Sequence, residues 1–300
     1  MKSPRISIIG AGSVGTTIAY TLAQRNIPAD ITLFDINQTL CNGQVLDICD
    51  ALPFCKTSTV RVGTYNDAKE SDIVIIAAGK RQEINQKRSE LLNTNKKIIN
   101  EIINAISPLK KDAILIMVTN PVDILTHHAL KQSTLPKSQV FGSGTILDSM
   151  RSRELIASHL GISPRSVNSL ILGEHGDSQF PAWSISSIAG IPILEYPNLD
   201  RIVLNTLFRQ ARDLVYQIIK CKGSTYYGVA SCVASMCENI LYDQKAIVPL
   251  SSYVAHYDTC MSVPCVLGKN GIEQQVPLVL PSDEQELLEK SAATIKSLES

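Results

Sequence analysis

Charge of one sign is what this sequence lacks first. Its 28 Lys and Arg residues offset 28 Asp and Glu, leaving a formal net charge of zero. Such a balance removes the electrostatic pull toward nucleic acid or an anionic membrane surface, and no basic patch stands out along the chain. No apolar run is long enough to cross a bilayer. None of the eight cysteines forms a C-x-x-C pair, and Lys2 and Arg5 lead straight into a strand-like segment with no secretory leader before it. The cysteines therefore read as reduced thiols of a cytoplasmic protein, mostly small core hydrophobes. Internal repeats and low-complexity linkers are missing too.

What is present is an ordinary globular balance, 44% hydrophobic and 19% charged, over 300 residues. That length exceeds what one core usually fills, so two domains with a tight interface are expected. In the first half, short β-rich runs (Ile6–Ile9, Ile31–Phe34, Thr59–Val62, Ile73–Ala78, Ala113–Thr119) alternate with helical stretches (Val14–Arg25, Ser89–Ile106 and one from about Val122). Continuous apolar strands separated by helices indicate a doubly wound parallel sheet, which binds ligands beyond the carboxyl ends of its strands. The second half predicts a helix over 147–160, strand-like pieces near Val167–Leu172, helices over Asn205–Cys221 and Gly228–Leu241, hairpin-like material at Ser251–Val266 and a closing helix from about Ser282. The expectation is an α/β chain: a Rossmann doubly wound sheet over residues 1–142 and an α+β substrate domain over 143–300.

Gly10-Ala11-Gly12-Ser13-Val14-Gly15 joins the first strand to the first helix with the spacing G-x-G-x-x-G. Gly10 permits the tight turn, Gly12 lets the backbone approach a pyrophosphate, and Gly15 permits close packing of helix on strand. The helix end then offers N–H groups and a favourable dipole to phosphates. Glycine turns are common, so the motif alone is weak. Asp35, at the end of the second strand about 20 residues on, strengthens it. Its carboxylate accepts from a ribose and repels a 2′-phosphate, which points to NAD over NADP. The bland reading is a structural turn and a solvated Asp.

Five histidines are present. His127, His128, His159 and His256 sit in no recognisable motif. His175 stands in Leu172-Gly173-Glu174-His175-Gly176-Asp177-Ser178, a polar, glycine-flanked turn where a ligand can come close and protons can be exchanged near neutral pH. Asp148 is a candidate orienting partner. Arg151, three residues later on a helix, shares its face and is suited to grip a carboxylate with two parallel hydrogen bonds. Taken bare, that pair is better read as a surface salt bridge of little energetic weight.

The ordered set of motifs resembles the lactate/malate dehydrogenase family over essentially the whole chain. After the glycine turn come Ala78-Gly79, Val118-Thr119-Asn120-Pro121-Val122-Asp123, Gly142-Ser143-Gly144-Thr145 with Asp148 and Arg151, Gly173-Glu174-His175-Gly176-Asp177 and Lys222-Gly223-Ser224-Thr225. The resemblance implies an NAD-dependent oxidoreductase that moves a hydride between the cofactor and a small 2-hydroxy acid. His175 is then the proton donor and acceptor, Asp148 its orienting partner, and Arg151 the carboxylate grip. Arg88, on a loop that closes over the substrate, polarises the carbonyl oxygen. Asn120 bonds near the hydroxyl and the nicotinamide, Thr225 lines the substrate pocket, and Val229 packs against the nicotinamide. Gly10, Gly12, Ser13, Val14, Gly15, Asp35, Ala78 and Gly79 hold the cofactor. No metal is implied. A cytoplasmic homo-oligomer, a tetramer before a dimer, is implied, with a place in glycolysis or fermentation.

Substrate choice turns on the loop from Gly79 to Arg88. In the family, the third residue after this glycine faces the substrate's far end, Arg in malate members and Gln in lactate members. Here it is Gln82, six residues before Arg88. Gln cannot neutralise a second carboxylate, and burying one unpaired costs several kcal/mol, so lactate and pyruvate are favoured. Arg81 is adjacent, and a one-residue shift would restore a malate-type arginine. Asn85-Gln86-Lys87 departs from the family's usual Gly-Glu-Thr/Ser, which bears on loop closure and rate. Ser178-Gln179-Phe180 with Ala182-Trp183-Ser184 is similar to lactate and to branched 2-hydroxyisocaproate members alike. Arg153 matches an arginine that binds fructose 1,6-bisphosphate in many bacterial members, but Asn168 stands where they carry His, so activation is expected to be weak or absent. A non-catalytic NAD-binding protein would keep the glycine turn and lose this set. Here the set is complete.

Overall fold

A computed structural model describes residues 3–56, 58–80 and 88–299, without the side chains of Arg88 and Ser89. Gln82, with the rest of 81–87, lies outside the described residues. The elements run β1 (Arg5–Ile9), α1 (Ser13–Gln24), β2 (Asp30–Phe34), α2 (Gln38–Ala51), β3 (Thr59–Val62), α3 (Tyr65–Lys69), β4 (Ile73–Ile76), α4 (Arg88–Ile106), β5 (Ile114–Met117), α5 (Val122–Gln132) and β6 (Val140–Gly142). They continue with α6 (Ile146–Leu160), β7 (Val167–Asn168), β8 (Ile171–Leu172), β9 (Phe180–Pro181), β10 (Ser187–Ile188), β11 (Ile191–Pro192), α7 (Arg201–Lys222), α8 (Tyr227–Leu241), β12 (Ala246–Val254), β13 (Thr259–Gly268), β14 (Gly271–Gln275) and α9 (Ser282–Glu299).

One nine-stranded sheet, in the order β14-β13-β12-β6-β5-β4-β1-β2-β3, spans both halves. From β3 to β6 every pairing is parallel. Every residue of β4 and β5 is buried, because helices cover both faces of a parallel sheet and leave no side for polar residues. The two strands beside β1 are β4 and β2, so the chain reverses its direction of winding there, and a crevice opens beyond the strand ends at such a point.

The second half contributes to this same sheet. Ser251 of β12 pairs antiparallel with Gly142 of β6, and β12–β13–β14 extend the layer as a meander. The hairpin expected at Ser251–Val266 is thus longer at both ends. The strand-like stretch Val167–Leu172 divides in two: β7 joins β10 and β11, and β8 pairs with β9. The helix expected from Asn205 starts at Arg201, because Asp200 accepts the N–H of Val203 as a side-chain cap. It stops at Gly223, whose φ of 81° breaks the helical path.

A main core gathers the apolar faces around the large sheet, and a satellite core forms around Trp183, Ile188, Ile193 and Leu204. The cysteines carry no disulfide, and five of the eight are buried. Burial pushes the Cys232 and Cys237 thiols up to about 12, so they pack as neutral small hydrophobes. Ile75, fully buried in β4, tests the sheet's role. Ile75→Ala is expected to lower unfolding free energy by about 2–5 kcal/mol in urea titration. A loss below about 1 kcal/mol would mean that the core collapses freely around the deletion.

Candidate active site

The glycine turn follows β1, and its three glycines meet different surroundings. Gly10 has φ +110°, and a Cβ there would stand 2.6 Å from the Ala78 nitrogen. The loops after β1 and β4 therefore touch backbone to backbone, which places Ala78 and Gly79 beside the turn. A Cβ on Gly15 would lie 1.9 Å from the Gly10 oxygen, so only glycine lets α1 begin so close to β1. A Cβ on Gly12 would meet nothing within 4 Å. That residue is the N-cap of α1, so the open space lies at the very start of the helix. Open space at a helix N-terminus fits a pyrophosphate.

Asp35, just past β2, accepts the Ala11 N–H on Oδ2 at 2.7 Å and the Asn37 N–H on Oδ1 at 2.9 Å. Each oxygen keeps a second lone pair for a ribose hydroxyl. The residues present thus fit a dinucleotide. Across the crevice, the Thr119 hydroxyl donates to the Ala78 carbonyl at 2.7 Å.

The cluster around His175 is assembled by α6, β8 and α5. Before α6, Thr145 donates its N–H to Ser262 Oγ at 3.1 Å and its hydroxyl to the Ile171 carbonyl at 2.5 Å. One turn later, Ser149 Oγ accepts the Ile171 N–H at 2.9 Å. Helix α6 is stitched to β8 on both sides of Asp148, and the loop leaving β8 carries His175. His175 Nδ1 and Asp148 Oδ2 meet at 2.7 Å, and Arg151 Nη1 lies 3.4 Å from Asp148 Oδ1. Asp148 and Arg151 are both nearly buried, while His175 keeps 27% exposure toward the cleft.

Burial opposes charge on the imidazole, but Asp148 overcomes it by Coulomb attraction and its hydrogen bond, and the His175 pKa rises to about 8. Burial likewise opposes ionisation of Asp148, yet His175 and Arg151 hold its carboxyl below the usual range. The pair is therefore an imidazolium–carboxylate at neutral pH, with Nε2 left for a ligand.

These residues line a cleft of about 420 Å³ together with Asn120, Leu91, Val215, Tyr216, Ile219 and Leu298. Asn120, Asp148, Arg151 and His175 are thus brought together. Arg88 is the first residue of α4, three before Leu91. Thr225, between α7 and α8, and Val229 in α8 are half-buried and do not line this cleft. Among the described residues no His, Cys, Asp and Glu side chains cluster to hold a metal ion. Sequence reasoning missed the wall from α7 and α9, whose residues carry no motif. It quoted Asp123 without a role, although its carboxylate accepts the backbone N–H of His175 at 2.6 Å.

Residues 4–142 match the lactate/malate dehydrogenase NAD-binding domain, and residues 145–299 match the α/β C-terminal domain of the same family. L-lactate dehydrogenase A of Rhizopus oryzae is 38% identical over 98% of this chain and 92% of its own length. L-lactate dehydrogenase of Kosmotoga olearia is 41% identical, with 98% and 94% covered. The crystal structure of the minor L-lactate dehydrogenase of Enterococcus mundtii, in its ligands-bound form, superposes with a TM-score of 0.95 at 34% identity, covering 99% of this chain and 97% of that one. With a fold, a dinucleotide crevice and a buried His–Asp–Arg cluster in agreement, the chain belongs to the lactate/malate dehydrogenase family of NAD-dependent oxidoreductases.

Proposed function

We propose that the chain interconverts (S)-lactate and pyruvate, with residues 1–142 binding NAD and residues 143–300 carrying most of the substrate site. The observation that carries this reading is the His175–Asp148–Arg151 cluster, which lines one cleft with Asn120 of the loop after β5. When bound, NAD supplies the hydride acceptor or donor. His175 takes the hydroxyl proton on Nε2 during oxidation and returns it during reduction, while Asp148 fixes the tautomer and the charged form. Arg151 grips the carboxylate in bidentate fashion. Arg88 polarises the carbonyl oxygen and Asn120 orients it, while Thr225 and Val229, outside the cleft that His175 and Arg151 line, are assigned to the substrate border and the nicotinamide by the family resemblance. Gln82, outside the described residues, is assigned the discrimination against a second carboxylate.

A second reading, a branched 2-oxo acid substrate, draws on the apolar walls of the cleft at Leu91, Val215, Ile219 and Leu298. A homo-oligomer in the cytoplasm completes the proposal, a tetramer before a dimer. Tyr20, Phe54 and Tyr227 are exposed and border one shallow concavity between α1, α2 and α8, an apolar surface that a second copy would cover. Among the described residues no helix is long and apolar enough to cross a membrane. Asn168 brings no positive charge where activated bacterial members carry His, which supports weak or absent activation by fructose 1,6-bisphosphate. A sigmoidal pyruvate response abolished by micromolar bisphosphate would reverse that.

NADH oxidation followed with pyruvate, oxaloacetate, 2-oxobutyrate and 2-oxoisocaproate should give the highest kcat/KM for pyruvate. A tenfold preference for oxaloacetate would mean that Arg81, not Gln82, meets the distal group. Gln82→Arg should exchange the preference toward oxaloacetate by about an order of magnitude or more.

The raised pKa sets a pH dependence. Reduction needs protonated His175, so it is present below about pH 8 and lost as pH rises through that value. In Asp148→Asn the stronger raising partner is gone and burial outweighs the pull of Asp123 that remains. The His175 pKa should then fall below its ordinary value, and reduction at pH 7.5 should drop by about two to four orders of magnitude. An unchanged alkaline limb in this variant would remove His175 from the proton role.

A further inference from the structure

Asp123 is a buried carboxylate that none of these roles uses. It sits in the first turn of α5 at 2% exposure. Its Oδ2 accepts the His175 N–H at 2.6 Å. Its Oδ1 and Ser251 Oγ are each buried without a hydrogen bond of normal geometry among the described residues. Burial pushes its pKa up to about 6, against the pull of the Ser251 hydroxyl, the His175 N–H and the His175 charge. The coupling is mutual, because Asp123 follows Asp148 among the groups that raise His175.

A loop anchor alone needs no charge. An asparagine oxygen accepts the same N–H without desolvating a carboxylate. The α5 dipole offsets only part of that cost. What an aspartate adds at this place is a field on the imidazole, acting through a dry interior where charge pairs are weakly screened. We propose that Asp123 is a positioning residue of the proton-transfer centre, which fixes the main chain of His175 and by its negative charge supports the imidazolium alongside Asp148. This inference rests on His175 being the proton carrier.

The groups facing Asp123 leave that role open to it. Glu174, on the same loop as His175, repels it, and is engaged by the Ser178 N–H and hydroxyl. On β13, the Cys260 thiol is pushed well up by burial and stays neutral. One turn along α5, His127 pairs with Glu299 of α9 at 2.7 Å. Lys96 of α4 reaches the Glu299 carbonyl at 3.5 Å, and the Tyr253 hydroxyl of β12 donates to Asp258. The β5 and β6 strands bring no titratable side chain.

Asp123→Asn separates anchor from charge. With the anchor kept, folding and NADH binding should persist. The His175 imidazole, followed by carbon-13 NMR of histidine-labelled protein and assigned with His175→Gln, should titrate lower by about half a unit or more. The alkaline limb of pyruvate reduction should move down with it, in kcat more than in KM. If the asparagine variant does not fold, Ser251→Ala provides the second arm. It withdraws a hydroxyl that favours the carboxylate, so the acid side of the pH profile should move up. An imidazole titration unchanged by Asp123→Asn, or an activity loss that only follows Tm, overturns the proposal. Absence of turnover in the unmodified protein would instead overturn the functional reading, while the NMR titration still decides the coupling.

Discussion

One contact orders the whole candidate site, the 2.7 Å hydrogen bond between His175 Nδ1 and Asp148 Oδ2. It joins a loop to a helix, and loops are poor at holding a side chain to the tolerance that proton transfer requires. The fold answers by tying the helix to the strand that feeds the loop. Thr145 and Ser149 bond both polar groups of Ile171, and Ser262 bridges from β13. The Gly173 backbone closes the arrangement by pairing with Ser262. Register errors at β8 would therefore appear directly as a misplaced imidazole.

The first half of the fold was largely legible because its signals are local. A strand buried on both faces must be continuously apolar, and a turn that touches another backbone must be glycine. Ile73–Ile76 and the Gly10–Gly15 turn carry these requirements on their surface. The second half was less legible because its defining contacts are distant in sequence. Nothing near Gly142 announces a partner at Ser251, so the extension of one sheet across both halves could not be read from either segment.

The site divides the same way. His175, Asp148 and Arg151 were recognisable because their types and spacing match a chemistry. Asp123 was not, because it acts on His175 through the backbone, and a carboxylate beside a helix start looks like a favourable end charge. The apolar residues of α7 and α9 were invisible for a further reason. Val215, Ile219 and Leu298 are ordinary helix-face hydrophobics until the fold turns them toward the cleft.

The final helix carries a practical consequence. Ser297 and Leu298 border the cleft, and the next residue, Glu299, is held by His127 and by Thr259. The last turn of α9 thus forms part of the cleft wall, whereas Arg5 opens β1 at the opposite end of the strands from the dinucleotide crevice. A bulky substitution at Leu298 would therefore narrow a cleft whose other residues lie more than 75 positions away in sequence, Ser297 apart.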